Sequence, residues 1–474
     1  SETVSVRGVP PAEKPQHLGT MPVWLLAIAC VVTPMVLAYS LALGSEARVT
    51  AVVLGIVALV GVIARPFVGL LLFCVLLYIR PEETFPVLQG TRLTLAISVA
   101  TAVGLALHLA LNREPVVRSP ISPMIIGFGL ALVASTATLG NSSEAAMDAG
   151  RLVLLVLLVI NSVRTPRKYQ ALISTVLACT GYLAVYSLYL YFTGKALLHG
   201  DLERSQASGI FGDPNDLAAT ITAGLALCLP RVISVRGGGR VLYGSLAVVC
   251  VWAILMTNSR GGMLALLAVV AGFSITFVRN KPLAVMVAVV VGGLFLVFGP
   301  SRMTHFDSTE ASANMRFWYW STGIEVLTNN PLLGIGYNQF VEINRGMTAH
   351  NSYVQCFAEL GLAGYFFWMG CLYFAFRRRP QAEGAAVTPE FQRDLLGARL
   401  ALTGFLVAAF FITRTYVPVL YLLIALPVAA QVATEQTGEA PQEKAGAWLV
   451  DWGRIVLICL GSILFIKGFA EHYR

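Results

Sequence analysis

His350 stands where a long polar loop gives way to an apolar run, at the head of His350-Asn-Ser-Tyr-Val-Gln-Cys-Phe-Ala-Glu-Leu-Gly-Leu-Ala-Gly364. An imidazole at a membrane–water boundary titrates near neutral pH. It can take a proton from a hydroxyl without help from a metal. The plain alternative is an interfacial histidine at a helix cap. Four arginines are predicted on the same face: Arg204, Arg260, Arg316 and Arg414. An arginine at a helix end in a membrane is costly unless it is paired or functional, and guanidinium grips phosphate oxygens in pairs. Arg260 also opens a helix beside Gly261 and Gly262, where backbone N–H groups favour an anion. Several such arginines could hold a pyrophosphate. Taken singly, each could instead snorkel to lipid phosphate, and Arg302 and Arg345 read that way. Asn215 lies in Asp213-Pro-Asn-Asp216, a helix start in which capping accounts for one or two of the polar residues. His17, His108, His199, His305 and His472 lack a comparable setting.

The elements that must carry these residues are membrane helices. The chain has 474 residues, 57% hydrophobic and 12% charged, which excludes a soluble domain of this size. Apolar windows predict helices near 22–43, 49–64, 67–79, 93–111, 121–139, 146–163, 168–192, 215–234, 240–257, 260–278, 282–298, 351–376, 394–413, 416–433 and 452–470. The fold class is all-α and polytopic, with about 13–15 transmembrane helices and one long loop between spans, 299–350. The 67–79 segment is short and 452–470 could lie in the interface, which gives that range. The first window is too long for a signal h-region and reads as an uncleaved span.

Basic loops at 164–168, 236–240, 279–281 and 377–379 are predicted to be cytoplasmic. Alternation then puts 80–92, 140–145, 193–214, 258–260, 299–350 and 414–415 on the other face. Within the long loop, Trp318, Tyr319 and Trp320 suit the membrane interface, and residues 321–327 have helical spacing with an apolar face, followed by the turn-rich Asn330-Pro-Leu-Leu-Gly-Ile-Gly336. An amphipathic helix there could lie on the membrane and roof the site. The net charge of +8 is scattered among loops, which points away from nucleic acid. The eight cysteines lie in apolar runs with no CxxC pair, so neither a metal nor a disulfide framework is visible.

The motifs resemble those of the bacterial O-antigen ligase and polymerase superfamily, polytopic glycosyltransferases of the GT-C type. His350-Asn351, nine residues, then Gly361-Leu-Ala-Gly364 fits the ligases' motif without a gap. Arg316 to Trp320, with Asn330-Pro-Leu-Leu-Gly334-x-Gly336, looks like the family's periplasmic loop. Thr257-Asn-Ser-Arg260-Gly261 and Gly209-x-Phe-Gly-Asp-Pro214-Asn215 are similar too, so the likeness covers roughly 200–376. Arg65-Pro66 and Tyr78-Ile-Arg80-Pro81-Glu82 look more like relatives from exopolysaccharide or exosortase systems.

The resemblance implies transfer of a glycan from undecaprenyl pyrophosphate to an acceptor hydroxyl on the periplasmic face of the bacterial inner membrane. Inversion is expected, with no cofactor and no metal. By matching position, His350 would be the base. Arg260 and Arg204 would contact the pyrophosphate, with Arg316, Arg414 and Asn215 as further substrate-binding candidates, and Asn351, Gly361 and Gly364 as motif residues. The partners implied are the lipid-linked glycan donor, an acceptor that is lipid A-core, a growing glycan or a protein, and membrane lipids. The expected organisation is a cytoplasmic tail 1–21, an N-terminal transmembrane region 22–198, a ligase-like core 199–376, a cytoplasmic loop 377–393 and a C-terminal transmembrane region 394–474. The competing reading is a lipid-linked glycan flippase or transporter, which would be expected to show repeated halves and charges at mid-membrane depth. A scaffold subunit would explain the hydrophobicity but not the His and Arg pattern.

Overall fold

Proline and small polar residues set several helix starts. Thr165, Asp213 and Thr388 each precede a proline in the first helical turn, where its missing N–H costs nothing. Their side chains accept from the N–H groups of Lys168, Asn215 and Phe391. The computed structural model describes residues 55, 58–84, 88–137, 142–195, 197–199, 202–278, 280–298, 311–377, 388–435 and 446–472. Of the predicted windows, 22–43 lies outside these residues, as does much of 49–64.

In chain order the elements are α1 (Pro66–Ile79), α2 (Pro81–Thr84), α3 (Leu93–Leu111), α4 (Ile121–Ser135), α5 (Ser142–Ser162) and α6 (Pro166–Phe192). A small ribbon of β1 (Leu197–His199) and β2 (Leu202–Arg204) follows, then α7 (Pro214–Ser234), α8 (Gly238–Met256), α9 (Arg260–Phe277) and α10 (Lys281–Phe298). The chain ends with α11 (Ala311–Asn329), α12 (Phe340–Ile343), α13 (Ser352–Phe376), α14 (Pro389–Ala409), α15 (Pro418–Glu435) and α16 (Ala447–His472). Eight helices among the described residues are long and apolar enough to cross a membrane: α3, α6, α7, α8, α9, α13, α15 and α16. The protein is an all-α polytopic membrane protein; the antiparallel ribbon at 197–204 is its departure from pure helix among the described residues.

Helix association in lipid depends on close packing rather than on apolar burial alone. Small residues supply it here. A Cβ on Gly397 would press on Pro230, and one on Gly404 on Val269 and Thr222, so α14 seats tightly on α7 and α9. The window predicted at 394–413 begins earlier and ends earlier as α14. The Thr388 cap starts it, and residues 412–415 are drawn away into bonds with Ser352.

Alternating helices gather the loops at two ends. One holds residues 80–84, 88–92, 193–195, 202–213, 257–260, 337–350 and 410–417. The other holds 112–120, 163–165, 235–237 and the far end of α13 at Arg377. Arg164 bonds to Glu114 and the Pro115 carbonyl there, and Arg377 meets Asp451. Pairing of Tyr373 with Asp451 and of Tyr365 with Ser462 runs α16 antiparallel to α13, lengthwise rather than across its end.

The span expected to be continuous over 351–376 is broken. Gly361 has φ 62° and ψ −165° inside α13. Its freed neighbours bond to the loop before α12: Leu362 N to Pro331 O at 2.8 Å, Ala363 N to Leu332 O at 3.1 Å, and Gly336 N to Glu359 O at 2.9 Å. A Cβ on Gly361 would overlap the Leu332 backbone, and one on Gly334 the Glu359 backbone. Two glycines therefore let one backbone run through the break in another.

Candidate functional site

The site is built from four chain segments that meet at the first turn of α13. His350 precedes that turn with φ 47°, a left-handed conformation that a non-glycine residue holds only when its surroundings impose it. Asn351 imposes it in part. Its Oδ1 caps α13, accepting from Tyr353 N at 2.9 Å and Val354 N at 3.2 Å. The Nδ2 of Asn351 is buried without a partner among the described residues, a donor still open to a bound oxygen. On the other side, Trp320 Nε1 of α11 donates to Ala349 O at 3.2 Å, and the Tyr319 ring lies 6.0 Å from the imidazole. So α11 stands beside α13 and walls the histidine; its Gly323 packs against Val354, one turn further along.

The second segment is the turn between α14 and α15. Ser352 Oγ donates to Ile412 O at 2.7 Å and accepts from Arg414 N at 2.8 Å, while Thr415 Oγ1 donates to Ser352 O at 2.8 Å. These bonds fix Arg414 beside His350. The guanidinium of Arg414 forks onto both carboxylate oxygens of Asp216 in α7, and Asp213 lies 3.7 Å from it. The third segment is therefore the start of α7. There Asp213 Oδ1 accepts from the backbone and side-chain nitrogens of Asn215, at 2.8 and 2.9 Å.

Asn215 joins the fourth segment, the α8–α9 turn. Its Oδ1 accepts from Ser259 Oγ at 2.8 Å and from Arg204 Nη2 at 3.0 Å. Arg204 Nε donates to Thr257 O at 2.8 Å. Arg204 is thus built into the protein and acts on the site through Asn215 and the turn that delivers Arg260. Arg260 takes the first position of α9, and Ser259 caps that helix by accepting from Gly262 N at 3.1 Å. Gly261 and Gly262 are in close contact with Phe411 and Ala218, so they serve packing as well as access.

The His350 pKa is lowered from its ordinary value of 6.5. Burial is the main cause; the Arg316 charge adds to it, Asp213 opposes it, and Arg414 lowers it again. The imidazole is therefore neutral at neutral pH and able to accept a proton. Arg316 belongs to the same electrostatic neighbourhood through this effect, from α11. His350, Arg316, Arg414, Arg260, Arg204 and Asn215 are all brought to this end of the bundle, with Gly361 lying deeper at the break in α13. Gly364 sits against its own Leu360 where the helix resumes. Among the described residues no group of three His, Cys, Asp or Glu side chains is placed to hold a metal ion.

Three residues were not singled out from sequence. Asp216 read as one polar residue of a helix cap, yet it anchors Arg414. Glu359 is fully buried in α13. It accepts from Gln355 Nε2, from Phe340 N at 3.2 Å and from Tyr416 OH at 2.8 Å. Gln355 Oε1 in turn accepts from Ala349 N at 3.2 Å. One carboxylate thus ties together the approach to His350 and the turn that carries Arg414. A glutamate inside an apolar span was the available signal, since an ionisable residue there is expensive unless it has a task.

Residues 245–369 match the family model described as O-Antigen ligase. The match includes Arg260, Arg316, His350 and Gly361 and stops short of Arg204, Asn215 and Arg414. It supports the O-antigen ligase and polymerase superfamily and, in general, a ligase-like glycosyltransferase activity. No curated protein gives a significant match to the chain.

Proposed function

We propose, from the premise that this chain carries an O-antigen ligase domain, that it moves a glycan from undecaprenyl pyrophosphate to an acceptor hydroxyl on the periplasmic face of the bacterial inner membrane. One observation carries the reading: a half-buried imidazole, its pKa lowered chiefly by burial, stands at the head of α13 in the field of Arg316, Arg414 and Asp213. His350 takes the proton from the acceptor hydroxyl as its oxygen attacks the anomeric carbon. The bond from that carbon to the diphosphate oxygen breaks, and the undecaprenyl diphosphate leaves with the electron pair. The proton stays on the imidazole and passes to solvent. Attack opposite the leaving group inverts the anomeric centre.

A diphosphate leaves well without a proton, so one base suffices and a glycosidase-like carboxylate pair is unnecessary. Arg260 and Arg414 stabilise the charge that develops on the diphosphate, as preorganised donors do. Arg204 and Asn215 hold the Arg260 turn in place. The lipid tail stays in the bilayer while its head group reaches the site. Arginines supply the charge stabilisation, so the reaction runs without a metal. The acceptor is lipid A-core, a growing polysaccharide or a protein, all of which present a hydroxyl.

The test is transfer by purified protein given lipid-linked glycan and each acceptor, with products resolved by size. Wild type should elongate or ligate. The His350→Ala protein should be folded and slower by roughly 10²–10⁴-fold, the usual worth of a general base. Full activity in that variant would remove His350 from the chemistry.

A further inference from the structure

A cavity of about 340 Å³ opens at the His350 end between α1, α3, α5 and the turn that follows Arg414. None of His350, Arg204, Arg260, Arg316 or Arg414 lines it. Its charged wall consists of Arg80, Arg92 and Arg151 against Glu82, Glu83 and Asp148, with Thr94 and Ser98 beside them. Its remaining lining is largely apolar, with Phe73, Leu77 and Leu95 among the residues. Several of the polar groups are already fixed. Glu82 accepts from Thr94 Oγ1 at 2.9 Å, and Asp148 accepts from Arg151 at 2.8 Å and from Tyr337 OH at 2.7 Å.

The balance of charge decides what such a cavity can take. Three carboxylates facing three guanidinium groups give a diphosphate no net attraction, in contrast to the arginine-rich setting of His350. A lipid chain would leave those six ionic groups desolvated with nothing gained in return. An uncharged sugar suits both walls: its hydroxyls donate to carboxylates and accept from guanidinium, and its C–H faces lie on the leucines and phenylalanine. The volume is within the range of small-ligand sites, roughly 300–1,000 Å³. Position adds to this. Tyr416, Val417, Pro418 and Val419 wall the cavity and continue directly from Arg414, so a ligand there touches the turn that carries a site arginine.

We propose that this cavity is a saccharide subsite, taking uncharged sugar residues of the glycan transferred or of the glycan that receives it. The proposal rests on the glycosyltransferase reading, and the test separates the two. The probe is the oligosaccharide that mild acid releases from the producing cells' own lipid-linked glycan, freed of phosphate and radiolabelled. Binding to the full chain in nanodiscs is measured by equilibrium dialysis. Arg92→Ala removes one exposed charge, and Leu95→Trp fills the apolar side; thermal unfolding checks both, and Arg92→Ala decides if Leu95→Trp fails to fold.

Wild type should bind saturably, as should His350→Ala, while the cavity variants bind at least tenfold more weakly. In turnover the same variants should raise KM for one substrate by a similar factor with kcat little changed. A raised donor KM assigns the cavity to the glycan transferred, and a raised acceptor KM assigns it to the receiving glycan. Equal binding by wild type and the cavity variants, or none by wild type, overturns the subsite. Wild-type binding without any transfer would sink the glycosyltransferase reading and leave the cavity assignment standing.

Discussion

At the end away from His350, Arg231 meets Asp394 at 3.1 Å and Arg377 meets Asp451 at 3.0 Å, each joining two helices. Arg164 meets Glu114 at 3.1 Å, joining two loops at that end. Every one of these arginines has its own carboxylate. At the His350 end, Arg414 lies between Asp216 and Asp213. Asp216 takes Arg414, and Arg204 donates to the Thr257 carbonyl and the Asn215 amide. Balanced pairs fasten helices. The Arg414–Asp216 pair does something further: it holds its guanidinium in the field of His350, which the proposed anionic substrate would approach.

Exchange of whole ion pairs is the strongest test of that contrast. Losing Asp394 alone should destabilise the protein by about 3–5 kcal/mol, because Arg231 is left buried and unpaired. Replacing both, Arg231→Met with Asp394→Leu, should restore the unfolding temperature and leave transfer intact. The matching exchange, Arg414→Met with Asp216→Leu, should also give a folded protein, yet one without transfer activity. Wild-type turnover in that second protein would erase the distinction between the ends.

Arg260 sharpens the comparison at a single residue. Lysine keeps the charge but loses the planar fork. Both Arg260→Lys and Arg260→Ala should therefore lower kcat/KM by about 2–4 kcal/mol in transition-state terms, the worth of a preorganised donor to developing charge. Near-normal turnover of the lysine variant would make Arg260 a lipid anchor, since lysine snorkels equally well.

Glu359 tests how the site is held rather than what it does. Glu359→Gln keeps the shape but puts an amide donor where Tyr416, Gln355 and Phe340 all donate, so one of those bonds is lost. We expect kcat to fall roughly tenfold, about 1.5 kcal/mol for one charge-assisted bond, with KM little changed. A pure stability loss with normal kcat would assign Glu359 to the fold alone.

The smallest effect is on pH dependence. The Arg316 charge helps to hold the His350 pKa down. Activity should fall as pH drops through that lowered pKa, because the protonated base cannot act. Arg316→Gln removes one depressing charge, so the acid limb of kcat/KM should move to higher pH. Asp213→Asn removes a raising charge, so the limb should move lower. Profiles that do not move would place both charges out of reach of the imidazole.

Much of this arrangement follows from the sequence alone. Apolar windows about twenty residues long dictate membrane helices, because unpaired backbone groups cannot lie in lipid. Proline after a capping residue marks where α7 begins, whereas the same signal at Thr165 and Thr388 places the starts of α6 and α14 ahead of their apolar windows. The spacing from His350 to Gly364 and the run at 330–336 are legible as a motif. Local chemistry reaches no further than a turn or two, and what lies beyond it required the fold. Only the tertiary structure decides that Gly361 breaks α13 to admit the 330–336 backbone. Only it brings Arg414 onto Asp216, nearly two hundred residues away in the chain. It likewise turns Arg204 inward to hold Asn215 and makes Glu359 the tie between two loops. The reason is physical: sequence periodicity records which face of a helix is apolar, whereas the partner of a buried charge is chosen by which helix ends meet.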